Sequence, residues 1–153
     1  MPDFILEKSL QQPVIGVDEV GRGPLAGPVV SCACVYFDHS LKIEELKKIN
    51  DSKKLSPKNR QKALKLILKM KKENKLNFRI GSASVEEIDK LNILNATILS
   101  MKRAILKLKI KKGTIIVDGN IKLKIGNLIS KYFVNGDQLS ISIATASIIA
   151  KIH

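Results

Sequence analysis

Cysteine is nearly absent from this sequence, with Cys32 and Cys34 the only two. They stand two residues apart in a β-like run, so they share one strand face and cannot close a relaxed disulfide there. An internal disulfide framework is excluded, and the pair reads as reduced, small core residues. A C-x-C pair can bind metal, but no second cysteine or histidine cluster lies nearby to complete such a site. Long apolar runs are lacking too: no stretch approaches the ~18 residues that a bilayer span needs. The N-terminus, MPDFILEKSL, has neither the cationic n-region nor the long apolar h-region of a secretory signal. A cytoplasmic protein without a membrane partner is the expectation. Acidic residues are scarce as well, 14 Asp and Glu against 27 Lys and Arg.

What is present is enough for one domain. A chain of 153 residues with 44% hydrophobic content can bury a single core. The net charge of +13 is held by no one tail or linker, so the folded surface itself is expected to be basic and to suit a polyanion. A lysine-rich, AT-biased coding sequence would produce the same excess, since Lys, Ile and Asn are all abundant; charge alone does not choose between the two.

Apolar and small residues from Pro13 to Phe37, VIGVDEV and then GPVVSCACVYF, predict two buried strands joined at a glycine-rich turn. Leu41 to Ile49 reads as a short helix. Ser56 as cap and Pro57 in the first helical position open another that runs to about Lys72. Its inward stripe is Leu64, Ile67 and Leu68, with Lys58, Lys62, Lys65 and Lys69 on the other faces. FRIGSAS follows as a strand, and Ser84 with Glu87 has the spacing of a capping box. In the longer helix after that, Leu94, Ile98, Met101, Ile105 and Leu108 form a sheet-facing stripe ended by Gly113. Thr114 to Asp118 is a buried strand and Tyr132 to Val134 a weaker one. The last run, LSISIATASIIAKIH, favours strand by its β-branched residues and helix by its unbroken length; it is read as helix. The order of elements indicates a mixed α/β layer fold.

Against so few acids, three in apolar strands stand out: Asp18 and Glu19 inside VIGVDEVG, and Asp118 ending TIIVDG. Burying an ionised carboxylate is expensive unless a cation, a hydrogen-bond network or a function compensates it. Adjacent strand residues point to opposite faces, so a local bend or bulge is expected at Asp18–Glu19, with the carboxylate of one or the backbone carbonyl of the other reaching an ion. Asp137, in NGDQ, is a fourth candidate, which on its own would be an ordinary turn aspartate.

The ordered motifs GVDEVGRGPLAGPVV, NDSKKLS, NILNAT, IVDGN and GDQ followed by ATASIIAK resemble those of bacterial ribonuclease HII over nearly the whole chain. Ribonuclease HIII is less similar, since it lacks the arginine of the Gly-Arg-Gly turn and usually carries an extra N-terminal domain. The resemblance implies an α/β, RNase H-like fold, a five-stranded mixed sheet flanked by helices, with 1–153 as a single catalytic domain. It implies a four-acid site of Asp18, Glu19, Asp118 and Asp137 holding two Mg²⁺ or Mn²⁺ ions, and oxygen donors suit those hard cations. The implied activity is endonucleolytic cleavage of RNA in RNA–DNA hybrids and at ribonucleotides embedded in duplex DNA, leaving 3′-hydroxyl and 5′-phosphate ends, by a monomer.

The implied substrate contacts are Gly21, Arg22 and Gly23 against the 2′-hydroxyl, Lys53 with Ser52 and Lys54 near the nucleic acid, and Asn95 and Thr97 on its backbone. Ser147 and Lys151 match the family's SxxxK pattern. Family members continue past the position of His153 through an Arg-Asp pair and helices that carry a junction-sensing tyrosine. This chain is therefore expected to lack that C-terminal helical portion and to have a weakened grip on substrate; Tyr36 and Tyr132 lie in the wrong motifs to replace the tyrosine, and Asn135 stands where the family often has lysine. Two other classes compete: a noncatalytic nucleic-acid-binding module that docks its basic helix on phosphates, and an integrase- or resolvase-like nuclease of similar fold.

Overall fold

Val, Ile and small side chains over Val14–Val20 and Val29–Tyr36 build the two central strands, β1 and β2, which pair antiparallel. A computed structural model describes residues 1–21, 27–51 and 56–153. Arg22, Gly23, Ser52, Lys53 and Lys54, assigned above to substrate contacts, lie outside the described residues. On its far side β2 pairs antiparallel with β3 (Leu76–Ala83). β1 also runs parallel to β4 (Thr114–Asp118), which is parallel in turn to β5 (Ile129–Phe133). The order β3-β2-β1-β4-β5 is a five-stranded mixed sheet, as expected. Central β1 buries Val14, Ile15 and Val17 on its two faces, the pattern of a strand covered on both sides.

Cys32, Cys34 and Tyr36 face a cluster that includes Ile141, Ala144 and Ile148 of helix α6 (Ile141–Ile152). Both cysteines are free and buried there. Short α1 (Ile5–Ser9) lies at the start of α6, and α2 (Ile43–Asp51) and α3 (Pro57–Lys72) complete that layer. On the opposite face Ile15, Val17, Ala33, Val35, Ile115 and Val117 pack on α5 (Ile93–Lys107), which α4 (Val85–Leu91) precedes. The capping box that opens α4 is present, Ser84 accepting from the Glu87 amide and Glu87 from the Ser84 amide.

Helix α6 is buried from Ile141 through Ala150. A helix enclosed on every side shows no amphipathic stripe, and packing overrides the strand propensity of its β-branched residues. Two glycines let helices rest on strand backbone. A Cβ on Gly16 would stand 2.4 Å from the Ser142 carbonyl carbon, and one on Gly81 would stand 2.3 Å from the Ser100 carbonyl oxygen.

That close seat on Gly81 corrects the stripe expected on α5. Its buried residues include Ala96, Thr97, Ser100 and Ala104 beside Met101 and Ile105, because only small side chains fit where the backbones nearly touch; Leu94 is 47% exposed. The helix stops at Lys107, well before Gly113, which instead turns the chain into β4 with φ +131°. On α3 the inward stripe is Ala63, Ile67 and Met70, leaving Leu68 48% exposed. The helix is thus rotated by about one residue from the expected face. β5 begins three residues before Tyr132.

Candidate active site

Parallel pairing of β1 with β4 sets Val17 beside Val117, so the next residues, Asp18 and Asp118, arrive level with each other at the ends of neighbouring strands. Both lie on the α6 face. Alternation puts Gly16 and Asp18 on one side of β1, and Ile116 and Asp118 on the same side of β4, where Ile116 packs with Ile143 of α6. Neighbouring strands run about 4.8 Å apart, so the two carboxylates repel each other in a partly desolvated place. The Asp18 carboxyl is accordingly pushed up to about 8, first by burial and then by the charges of Asp118 and Glu19. The Glu19 amide, which donates to Asp18 Oδ1 at 2.8 Å, and the Ser147 hydroxyl pull in the other direction.

Ser147 arrives there because α6 lies along β1. Helix and strand touch at Ser142 and Gly16; from there Asp18 is about 6.7 Å further along the strand and Ser147 about 7.5 Å further along the helix. The SxxxK spacing carries Lys151 one turn beyond, to the exposed last turn of α6. Of the two, Ser147 is the residue at the acids.

Asp118 is held from the other side. Its Oδ1 accepts the Gly136 amide at 3.0 Å, and Gly136 opens the short 3-10 turn Gly136–Gln138 that carries Asp137. Asn135, in the left-handed region at φ 55°, bends the chain from β5 into that turn. A Cβ on Gly136 would meet Ile143 Cδ1 at 2.7 Å, so glycine lets the turn lie against α6. Asp137 is half-buried one residue past the amide that binds Asp118.

The bend or bulge expected at Asp18–Glu19 is not there. β1 keeps an unbroken register through both, Asp18 opposite Cys32 and Glu19 opposite Ser31. Ser31 hydrogen-bonds Ser100 of α5, so the regular pleat sends Glu19 toward the α5 face and Asp18 toward α6. Distortion begins only at Gly21, whose φ of +101° and close approach to the Pro28 carbonyl oxygen, 2.6 Å from a would-be Cβ, both call for glycine. Among the described residues, no three His, Cys, Asp or Glu side chains form a ready ligand group. The donors that do converge, the Asp18 and Asp118 carboxyl groups, are hard oxygens of like charge, which fits a divalent cation such as Mg²⁺ or Mn²⁺.

Asn95 is exposed in the first turn of α5, its side-chain amide donating to the Leu91 carbonyl at 3.2 Å. Thr97 is fully buried and its hydroxyl donates to the Ile93 carbonyl at 2.7 Å. Only Asn95 of that pair offers surface to a ligand. One residue had no sequence signal at all: Glu7 of α1, 1% exposed and bonded to the first turn of α6. A lone glutamate near the N-terminus reads as solvated by default, and nothing local indicates that it is enclosed.

A family model described as ribonuclease HII matches residues 15–153. Curated relatives named ribonuclease HII include that of Wolbachia pipientis subsp. Culex pipiens (strain wPip), 52% identical over 151 residues that span 99% of this chain and 72% of the relative. That of Fusobacterium nucleatum subsp. nucleatum is 51% identical over 145 residues, 91% of this chain and 63% of the relative. Among solved structures, ribonuclease H2 of Pyrococcus horikoshii OT3 matches with a TM-score of 0.65 at 27% identity, over 92% of this chain and 71% of that one. Bst-RNase HIII in complex with Mn²⁺ matches with a TM-score of 0.73 at 21% identity, over 99% and 55%, a likeness of fold.

Proposed function

This chain belongs to the ribonuclease HII family, hydrolases of the ribonuclease H endonuclease class, and we propose that it cuts RNA strands in RNA–DNA hybrids and at single ribonucleotides embedded in duplex DNA. The observation that carries this reading is the pair Asp18 and Asp118, level on adjacent parallel strands, with the Gly136 amide holding Asp118.

Two Mg²⁺ or Mn²⁺ ions, bound among Asp18, Glu19, Asp118 and Asp137, would supply a water nucleophile at neutral pH and stabilise the charge on the leaving 3′ oxygen. The regular pleat at Asp18–Glu19 favours the backbone carbonyl of Glu19 as its contribution on the Asp18 side. The chain's own work is positional. The Ser147 hydroxyl and Glu19 amide aim the Asp18 carboxylate, and the Gly136 amide aims that of Asp118 while bringing Asp137 beside it. Attack along the line of the P–O3′ bond leaves a 3′-hydroxyl and a 5′-phosphate.

Selectivity needs groups that sense the 2′-hydroxyl, the one difference between the two backbones. Gly21, Arg22 and Gly23 are the proposed sensor, since glycine lets backbone groups approach a sugar that a Cβ would fend off. Lys53 and Asn95 are proposed phosphate contacts.

The test uses duplex DNA with one ribonucleotide, incubated with Mg²⁺ or Mn²⁺, and compares the chain with Asp18→Asn. Cleavage by the first alone, giving the stated ends, is expected. Equal cleavage by both removes the assignment, and salt-sensitive binding without products by both would support a binding module instead.

A further inference from the structure

The family match begins at residue 15, so α1 and Glu7 fall outside it, yet Glu7 is built into the support of the acids. Its Oε2 accepts three hydrogen bonds from the start of α6: the Ser140 hydroxyl at 2.9 Å, the Ser142 amide at 3.0 Å and the Ser142 hydroxyl at 2.8 Å. Its Oε1 is buried without a hydrogen-bond partner among the described residues. A carboxylate is favoured at a helix N-terminus by charge and by the free amides, but enclosing its second oxygen costs free energy. Ser140 already caps the helix through the Ile143 amide at 3.1 Å, so helix capping alone does not require Glu7.

What Glu7 adds is a grip at one point. Ser142 is the residue that rests on Gly16, its carbonyl carbon and Cβ lying 2.4 Å and 2.7 Å from a would-be Cβ there. Glu7 thus fixes α6 at its contact with β1, and the distance from that contact sets whether Ser147 meets Asp18. The same N-terminal segment also bonds the first residue of α6, just past the Asp137 turn, with the Ile141 amide donating to the Asp3 carbonyl at 3.1 Å.

We propose that Glu7 is a positioning residue of the active site: its carboxylate sets the height of α6 on β1 and so the Ser147 hydroxyl on Asp18. The inference rests on the ribonuclease reading above.

A double-mutant cycle tests it with the full chain, Glu7→Gln, Ser147→Ala and both together, on the single-ribonucleotide duplex in saturating Mn²⁺, well below each variant's Tm. Groups that orient metal-binding side chains typically contribute 10–100-fold. Glu7→Gln should lower kcat about tenfold with KM within about twofold, and should cost less than about twofold when Ser147 is already alanine. A wild-type kcat in Glu7→Gln, or an undiminished tenfold loss in the Ser147→Ala background, overturns the proposal. If Glu7→Gln fails to fold, Ser142→Ala, which removes one donor and keeps the amide, enters the same cycle under the same criterion. Mn²⁺ titration by calorimetry reads the residue without turnover, with an about tenfold weaker Kd expected in Glu7→Gln. An inactive wild type with that calorimetric difference intact would overturn the ribonuclease reading and leave Glu7's role standing; no difference would overturn the role.

Discussion

Asp18 holds its proton more tightly when folded than when unfolded, because burial and the charges of Asp118 and Glu19 disfavour its ionised form. Without divalent ions, the stability this contributes is fully present below the ordinary carboxylate value of 3.8 and is lost as pH rises through about 8. Melts in chelator should therefore show Tm falling between pH 5 and 9 by more in the wild type than in Asp18→Asn, and Mn²⁺ should restore the wild type alone. At neutral pH in chelator, Asp18→Asn should melt about 2–4 °C higher while losing cleavage, the exchange of stability for function found at strained sites. Equal pH slopes would show that Asp18 is not held in this way. The Ser147 hydroxyl lowers the Asp18 value, so Ser147→Ala should move the acidic limb of the cleavage profile to higher pH; an unmoved limb would detach Ser147 from the site.

At the scale of elements, two glycines set how near helices come to the sheet. Gly16→Ala would drive a methyl group into the Ser142 backbone. Overpacking of this kind costs about 1–3 kcal/mol, and since the displaced helix is the one that carries Ser147, cleavage should fall with it. Denaturant unfolding and turnover measured on one preparation check both effects; a stable variant with full activity would show that α6 tolerates the shift. Away from the site, Arg103 grips Glu87 through two bonds of 2.8 Å and 2.7 Å and pulls its carboxyl down to about 2. That lowered value means a contribution to stability present above the ordinary 4.5 and lost as pH falls through about 2. Wild type and Arg103→Ala should differ in Tm at pH 6 and converge near pH 2, with no change in turnover at neutral pH. α3 shows the limit of helical periodicity: Leu64 and Leu68 have the right spacing for a core face, but Ala63, Ile67 and Met70 have it too. Which stripe turns inward depends on what it meets.

For the molecule as a whole, the charge of +13 is either a working surface or a by-product of composition. Binding of the non-cleaving Asp18→Asn chain to a duplex distinguishes them. Six or more phosphate contacts would weaken affinity by about 10³ or more between about 50 and 200 mM salt, measurable by fluorescence anisotropy; a flat response would assign the lysines to composition. Sequence alone determined a good deal here, because some signals are local. A serine cap followed by proline, the Ser84–Glu87 box, TIIVD bounded by Gly113 and Gly119, and acids inside apolar strands each state their own role to anyone reading a dozen residues. Their order indicated a mixed α/β layer fold, and the family resemblance implied the five-stranded mixed sheet that the structure shows. Tertiary structure alone decided the rest: that Asp18 and Asp118 stand level, that Glu19 turns to the opposite face without a bulge, that Ser147 and not Lys151 reaches the acids, and that a glutamate at position 7 is enclosed at the start of α6. Each of these is a relation between segments far apart in the chain, fixed by strand register and by how closely a helix can sit on a glycine, and no window of sequence contains both partners.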